Sequence, residues 1–254
     1  DLEDPDKYFT AKTKFVAVIH QSNVLGTINP VKDIVRMAHD VGAITLVDGA
    51  QWVPHGCTDI QEIDCDFYAF SGHKMLGPTG IGILYGKPEL LEKMQPFQGG
   101  GEMIRSVTME RATWNDIPYK FEAGTPNIAQ AIGLGAAVKY IQGIGLDVIQ
   151  NHGGNLTKYA IKKLKQMDSI KIHGNQHDRG PVISFEVPGV HPHDLAQFLD
   201  QDGIAIRAGQ LCAQPIMDKL GVFSTNRASF YLYNNEQDID KFCESIDKTT
   251  QIFA

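Results

Sequence analysis

The sequence predicts an α/β fold with a mostly parallel sheet and flanking helices, followed by a smaller C-terminal α+β domain. Three observations carry this. Short apolar runs alternate with helix-patterned stretches through the first half of the chain. Gly, Pro and Asp punctuate the ends of those runs. In the last third the runs crowd together, and the strict alternation is lost. Strand–helix alternation favours parallel pairing, because parallel strands need a crossover that a helix supplies.

In order, residues 15–20 (FVAVIH) read as a buried strand. Pro30 stands at a first helical position before VKDIVRMAHDV, and Gly42 stops that helix. AITLVD is a second buried strand ending at Asp48, and residues 67–70 (FYAF) are a third. Residues 80–86 (GIGILYG) read as a strand, PELLEKM as a helix opened by Pro88, and residues 99–104 (GGGEMI) as a loop. Helices are expected from near Asn127 through AQAIGLGAAVKYIQ and from about Leu146 to Met167. IKIHG, VISFEV, IAIRAG and RASFYLY are strand-like, interleaved with helices over 194–202 and 236–253. The domains are set at 1–140 and 141–254.

The 254 residues are 43% hydrophobic and carry a net charge of −7. An acidic balance argues against nonspecific binding to nucleic acid or an anionic membrane. No apolar run approaches the roughly 20 residues of a membrane span. The acidic start, Asp1 to Asp6, is not a signal peptide, and its loop-like character without an initiator Met suggests a fragment. The four cysteines form no CxxC pair and no metal spacing, which fits a reducing, cytoplasmic setting.

Three segments carry chemistry. In Ser71-Gly72-His73-Lys74, a lysine follows a strand where α/β folds place ligands. Desolvation frees such an amine for Schiff-base chemistry, and Ser71 and His73 can bind a phosphate; the alternative is an exposed loop lysine. Asp48, at a strand end, can hold a pyridinium nitrogen protonated, with Gln51 donating to a ring oxygen; the alternative is a helix N-cap. An Asp roughly 25 residues before a strand-end Lys puts both at one sheet edge. Cys212, in the Gly-containing loop after IAIR with Arg207 nearby, is either a reactive thiol or a buried structural cysteine.

Six motifs then carry a resemblance: VLGTINP, LVDGAQ, DFYAFSGHKMLGPTGIGILYG, FEAGTPN, RAG-x-x-CAQP and RASFYLYN. In this order, across nearly the whole chain, they resemble the SufS-type (group II) cysteine desulfurases, fold-type I pyridoxal-phosphate (PLP) enzymes of the class-V aminotransferase family. The resemblance implies the aspartate aminotransferase-like fold and PLP as cofactor. It implies Lys74 as the Schiff-base lysine that shuttles the Cα proton, Asp48 on the pyridine nitrogen and Gln51 on the ring oxygen. Ser71 and His73 would hold the phosphate, and Thr125 would reach the phosphate of the other subunit of a homodimer. Asn23 and Arg227, with Arg207 assisting, would orient the substrate carboxylate. Cys212 would take sulfur from L-cysteine as a persulfide, leaving L-alanine. An acceptor of the SufU or SufE type would collect the sulfur for iron–sulfur cluster assembly.

Two departures stand out. The family usually reads Gly-His-His before the cysteine, whereas this chain has Gly209-Gln210-Leu211. Roughly the first 150 residues of the family pattern, a stretch of domain size, have no counterpart, so the chain alone is expected to bind PLP weakly and to be inactive. Two rivals share part of the pattern. Another fold-type I enzyme, an aminotransferase or a selenocysteine- or kynureninase-like lyase, keeps Lys74 and Asp48 without needing Cys212. A non-catalytic remnant needs neither. His191-Pro192-His193-Asp194 reads as a helix start rather than a metal cluster. Cys243 reads as core, Cys57 and Cys65 as without redox role, Trp52 as packing, and residues 99–101 as no phosphate loop.

Overall fold

The computed structural model describes residues 4–253; the first three residues of the acidic start lie outside them. The chain divides into two compact units. The first runs to Ile19 and continues as Pro30–Pro54 and Thr58–Gly143. The second comprises His20–Asn29, His55–Cys57 and the chain from Ile144 onward. This corrects the expectation of a contiguous domain over 1–140. Residues 20–29 are held by the second unit: Val24 is fully buried, Ser184 Oγ donates to its carbonyl at 2.5 Å, and Arg179 Nη2 donates to Leu25 O at 2.6 Å.

The first unit contains, in order, β1 (Phe15–Ile19), α1 (Val31–Asp40), β2 (Ile44–Asp48), α2 (Ile60–Ile63), β3 (Phe67–Ser71), β4 (Gly82–Gly86), α3 (Pro88–Lys93), β5 (Ile104–Val107), β6 (Ala112–Trp114) and α4 (Ile128–Ile144). Its main sheet has the order β1-β2-β3-β4. The first three strands are parallel, and β4 returns antiparallel to β3. The short stretch between β3 and β4 is too brief for a crossover, so reversal is the only connection open to it. β5 and β6 form a separate hairpin that the sequence reading did not anticipate.

Helix α1 packs Val31 and Val35 onto Val47 and Tyr68 of the sheet. Buried Asp66 locks β2 beside β3: its Oδ2 accepts the Thr45 N–H at 2.7 Å and the Thr45 hydroxyl at 2.9 Å, with His39 Nε2 also at 2.9 Å. Burial alone would raise its pKa, but the His39 and Thr45 bonds outweigh that and leave it lowered. β1 reads in the sequence as a buried strand. Only one face is covered; Phe15 and Leu84 are each 53% exposed on the sheet.

The second unit contains α5 (Leu146–Leu164), β7 (Lys171–Ile172), β8 (Val182–Glu186), α6 (Pro192–Gln201), β9 (Arg207–Gly209), α7 (Gln214–Leu220), β10 (Thr225–Ser229) and α8 (Glu236–Phe253). Its sheet, ordered β7-β8-β10-β9, is antiparallel throughout. The helices bury Leu156, Leu195 and Ile246 against Ile183 and Phe185. Two expected strands are shorter than read. IAIRAG pairs only from Arg207, because Ile204 N–H still closes the end of α6 on Leu199 O. RASFYLY leaves the sheet after Ser229, where Asn234 Oδ1 accepts the Tyr231 N–H at 2.9 Å and turns the chain toward α8. Cys243 is buried in the core, as read. Among the described residues no single helix is long and apolar enough to cross a membrane.

Two histidines of this unit predict an acid sensitivity. Burial pushes both His20 and His55 down to about 4. Their folded values lie below the unfolded value, so the unfolded chain binds more protons as the pH falls. Their contribution is complete above pH 6.5 and is lost progressively as the pH drops toward 4. Urea denaturation at pH 7.5, 6 and 5 checks this: the midpoint should fall at each step, and a constant midpoint contradicts it.

Candidate active site

The first unit gathers one set of groups at the carboxyl ends of β2 and β3. Asp48 closes β2 opposite Ala69 of β3, so the two strands end side by side. Gly49 N–H donates to Ala69 O at 2.8 Å and turns the chain off the sheet. A Cβ on Gly49 would stand 2.2 Å from the Tyr68 ring, so only glycine fits there. Tyr68 is buried, and its phenol is held well above the ordinary value by that burial first, then by the nearby Cys65 and Asp48 charges. Asp48 Oδ1 accepts the Ala50 N–H at 2.9 Å, while the carboxylate stays exposed. No helix begins at this point; residues 50–55 form turns, so Asp48 fixes a turn rather than capping a helix. Gln51 is half-buried in the same turn.

β3 ends at Ser71 and runs into a 3-10 turn, Gly72–Met75, carrying His73 and Lys74. Gly72 N–H donates to Ile81 O at 2.9 Å and Gly77 N–H to Gly72 O at 3.0 Å, so the turn is cross-tied at both ends. A Cβ on Gly77 would lie 2.7 Å from Gly72 O, which explains a glycine there. Lys74 and Ser71 are half-buried, and His73 is exposed. The structure thus brings Asp48, Gln51, Ser71, His73 and Lys74 to one edge of one sheet. Thr125 also belongs to the first unit and is exposed, and the N–H of its neighbour Gly124 donates to Gly101 O at 2.9 Å.

The second unit gathers another set. Arg227 of β10 pairs directly with Arg207 of β9, so both guanidinium groups rise from one face. Arg227 Nη1 donates to Asn23 O at 3.0 Å and Nε to Ser229 Oγ at 3.1 Å. The Arg227 pKa is lowered by burial first and by Arg207 next, with Cys212 opposing both. Two facing cations, one of them partly desolvated, favour a bound carboxylate. Asn23 Nδ2 donates to Leu211 O at 2.7 Å. Leu211 is buried, and Cys212, next to it, is exposed. The structure therefore brings Asn23, Arg207, Arg227 and Cys212 into one group.

Sequence reading missed Ser229, which steadies Arg227. The signal was available: two residues apart on a strand means one shared face. It also missed the structural weight of Leu211, noticed only as a departure from the family pattern. At 191–194, Pro192 opens α6 and His191 is its N-cap, its ring accepting the His193 N–H at 3.3 Å. Among the described residues no group of three or more His, Cys, Asp or Glu is placed to hold a metal ion.

With that geometry in view, known proteins decide the family. The family described as Aminotransferase class-V matches residues 1–242. The chain belongs to the class-V aminotransferase family. Within it, the chain is 54% identical over 253 residues to a probable cysteine desulfurase of Halalkalibacterium halodurans, covering all of this chain and 62% of that protein. It is 51% identical over 255 residues to a cysteine desulfurase of Haloferax volcanii, covering all of this chain and 60% of that one. Among solved structures, the cysteine desulfurase CsdA of Escherichia coli superimposes with a TM-score of 0.96 at 38% identity, over all of this chain and 63% of that one. The apo cysteine desulfurase of Thermococcus onnurineus gives 0.94 at 40% identity, over 99% of this chain and 63% of that one. The chain thus spans about six-tenths of the length of these family members. The fold is that of these PLP-dependent enzymes, as the motifs implied.

Proposed function

We propose that this protein serves as a PLP-dependent cysteine desulfurase, converting L-cysteine to L-alanine and placing the sulfur on Cys212. The observation that carries the reading is the pairing of two chemistries in one family member: a Lys–Asp set at the sheet edge of the first unit, and a two-arginine set with an exposed cysteine in the second.

The residues at the first set suit PLP. Asp48 is an exposed carboxylate steadied through Oδ1, which fits a protonated pyridine nitrogen, and Gln51 can donate to the ring oxygen. Ser71 and His73 offer donors for a phosphate, and Lys74 the amine that anchors an aldehyde. When bound, the cofactor supplies an electron sink for charge at the substrate Cα.

The protein's own groups do the rest. Lys74 takes the proton from the substrate Cα and later returns one. Arg227 and Arg207, with Asn23, hold the substrate carboxylate, for which a guanidinium fork is shaped. Cys212 Sγ attacks the substrate sulfur: a sulfur–sulfur bond forms, the substrate's sulfur–Cβ bond breaks, and Cβ is protonated to give alanine. The persulfide then passes to an acceptor thiol of the SufU or SufE type, feeding iron–sulfur cluster assembly in a cytoplasmic setting. The working form in this reading is a homodimer, with Thr125 directed to the phosphate held by the second copy.

The test is product stoichiometry. Protein purified as its host makes it, given PLP, L-cysteine and a reducing thiol, should release alanine and sulfide in equal amounts. Mercaptopyruvate with no sulfide released would favour the aminotransferase reading, and pyruvate with ammonia in place of alanine would favour the lyase reading.

A further inference from the structure

The loop that carries Cys212 is held in an unusual way. Leu211 and Cys212 both have left-handed backbones, with φ of 55° and 57°. Two consecutive residues with side chains in that region are disfavoured, because each Cβ crowds the following carbonyl. The turn therefore needs outside support, and the second unit provides two kinds. The Leu211 side chain is buried, packed with Val24 and Met217, which are themselves almost wholly enclosed. The Leu211 carbonyl accepts the Asn23 amide at 2.7 Å, while the Asn23 carbonyl accepts the Arg227 guanidinium at 3.0 Å. One residue thus touches both the arginine and the cysteine loop.

We infer that Asn23 and Leu211 are positioning residues for Cys212: Asn23 couples the Arg227 guanidinium to the loop, and Leu211 pins the loop so that the thiol stays exposed in one orientation. The inference deepens the reading of Cys212 as sulfur acceptor and rests on it. An apolar pin accounts for leucine at this position, where the resembling enzymes usually carry histidine.

The experiment compares the protein as its host makes it with Asn23→Ala, Leu211→Ala and Leu211→Met. Amide hydrogen exchange is read at residues 211–213 and at β8, together with kcat and KM for L-cysteine. In Asn23→Ala and Leu211→Ala, exchange at 211–213 should quicken by about tenfold or more while β8 is unchanged. For both, kcat should fall about tenfold, the pattern of a group that acts after substrate has bound; KM should stay within about threefold in Leu211→Ala and rise as well in Asn23→Ala, where a carboxylate contact is also lost. Leu211→Met, which refills the cluster, should return both readouts close to the parent. Unchanged exchange at 211–213 would overturn the inference. So would faster exchange throughout β8, which makes Leu211 an ordinary core residue. A raised KM with kcat preserved in Asn23→Ala would overturn it too, because Asn23 would then only bind substrate. The exchange readout needs no turnover, so it separates a failed pin from a failed desulfurase assignment.

Discussion

Replacing Cys212 by serine should lower alanine formation from L-cysteine by at least about a thousandfold, while the visible absorbance of bound PLP is retained. The size of the effect follows from the chemistry. A hydroxyl is a far weaker nucleophile toward sulfur than a thiol, and Cys65 and Cys243 are buried. The retained absorbance follows from placement: Cys212 belongs to the second unit, whereas Asp48, Ser71, His73 and Lys74 belong to the first. Steady-state alanine release alongside an absorbance spectrum checks both halves. Unchanged turnover in the variant would turn the assignment toward a class-V relative that does not use a cysteine.

The second large effect is at Lys74. In Lys74→Ala, turnover should fall by about a thousandfold or more, since a positioned base for the Cα proton is lost. PLP should also dissociate on dialysis. Borohydride reduction followed by peptide mass analysis distinguishes the cases. The parent should carry the reduced cofactor on the peptide containing Lys74, and the variant should carry none. Cofactor trapped on another lysine would remove Lys74 from the role. The turn supports a specific effect: Gly72 and Gly77 tie it independently of the Lys74 side chain, so the alanine variant should keep its fold.

Much of the fold and of the first set of groups is legible in the sequence. The strands ending at Asp48 and Ser71 announce themselves as apolar runs closed by polar residues, and the stretch from residue 49 to 66 is long enough for the crossover that parallel pairing needs. Asp48, Ser71, His73 and Lys74 are readable because they lie at or just after a strand end, where α/β folds place ligands. The missed features depend on long-range partners. Residues 20–29 continue directly from β1, so nothing local assigns them to the second unit; hydrogen bonds to Arg179 and Ser184 do. RASFYLY has strong strand propensity throughout, yet the Asn234 side chain competes for the backbone and ends the strand early. The hairpin of β5 and β6 has little apolar alternation, and its pairing includes exposed Ser106 and Thr113 joined at 2.7 Å. Leu211 is legible in the sequence only as a departure from the family pattern, because its role lies in contacts with Val24 and Met217, distant in sequence or on the next helix.

In the proposed reaction, sulfur leaves L-cysteine for Cys212. This step is tested most directly by treating the PLP-loaded protein with L-cysteine in the absence of any acceptor thiol, then mapping sulfur by peptide mass. The peptide containing Cys212 should gain one sulfur atom, with one alanine released per modified chain. Alanine formed with the added sulfur on the peptide of Cys57, or on no peptide at all, would contradict it.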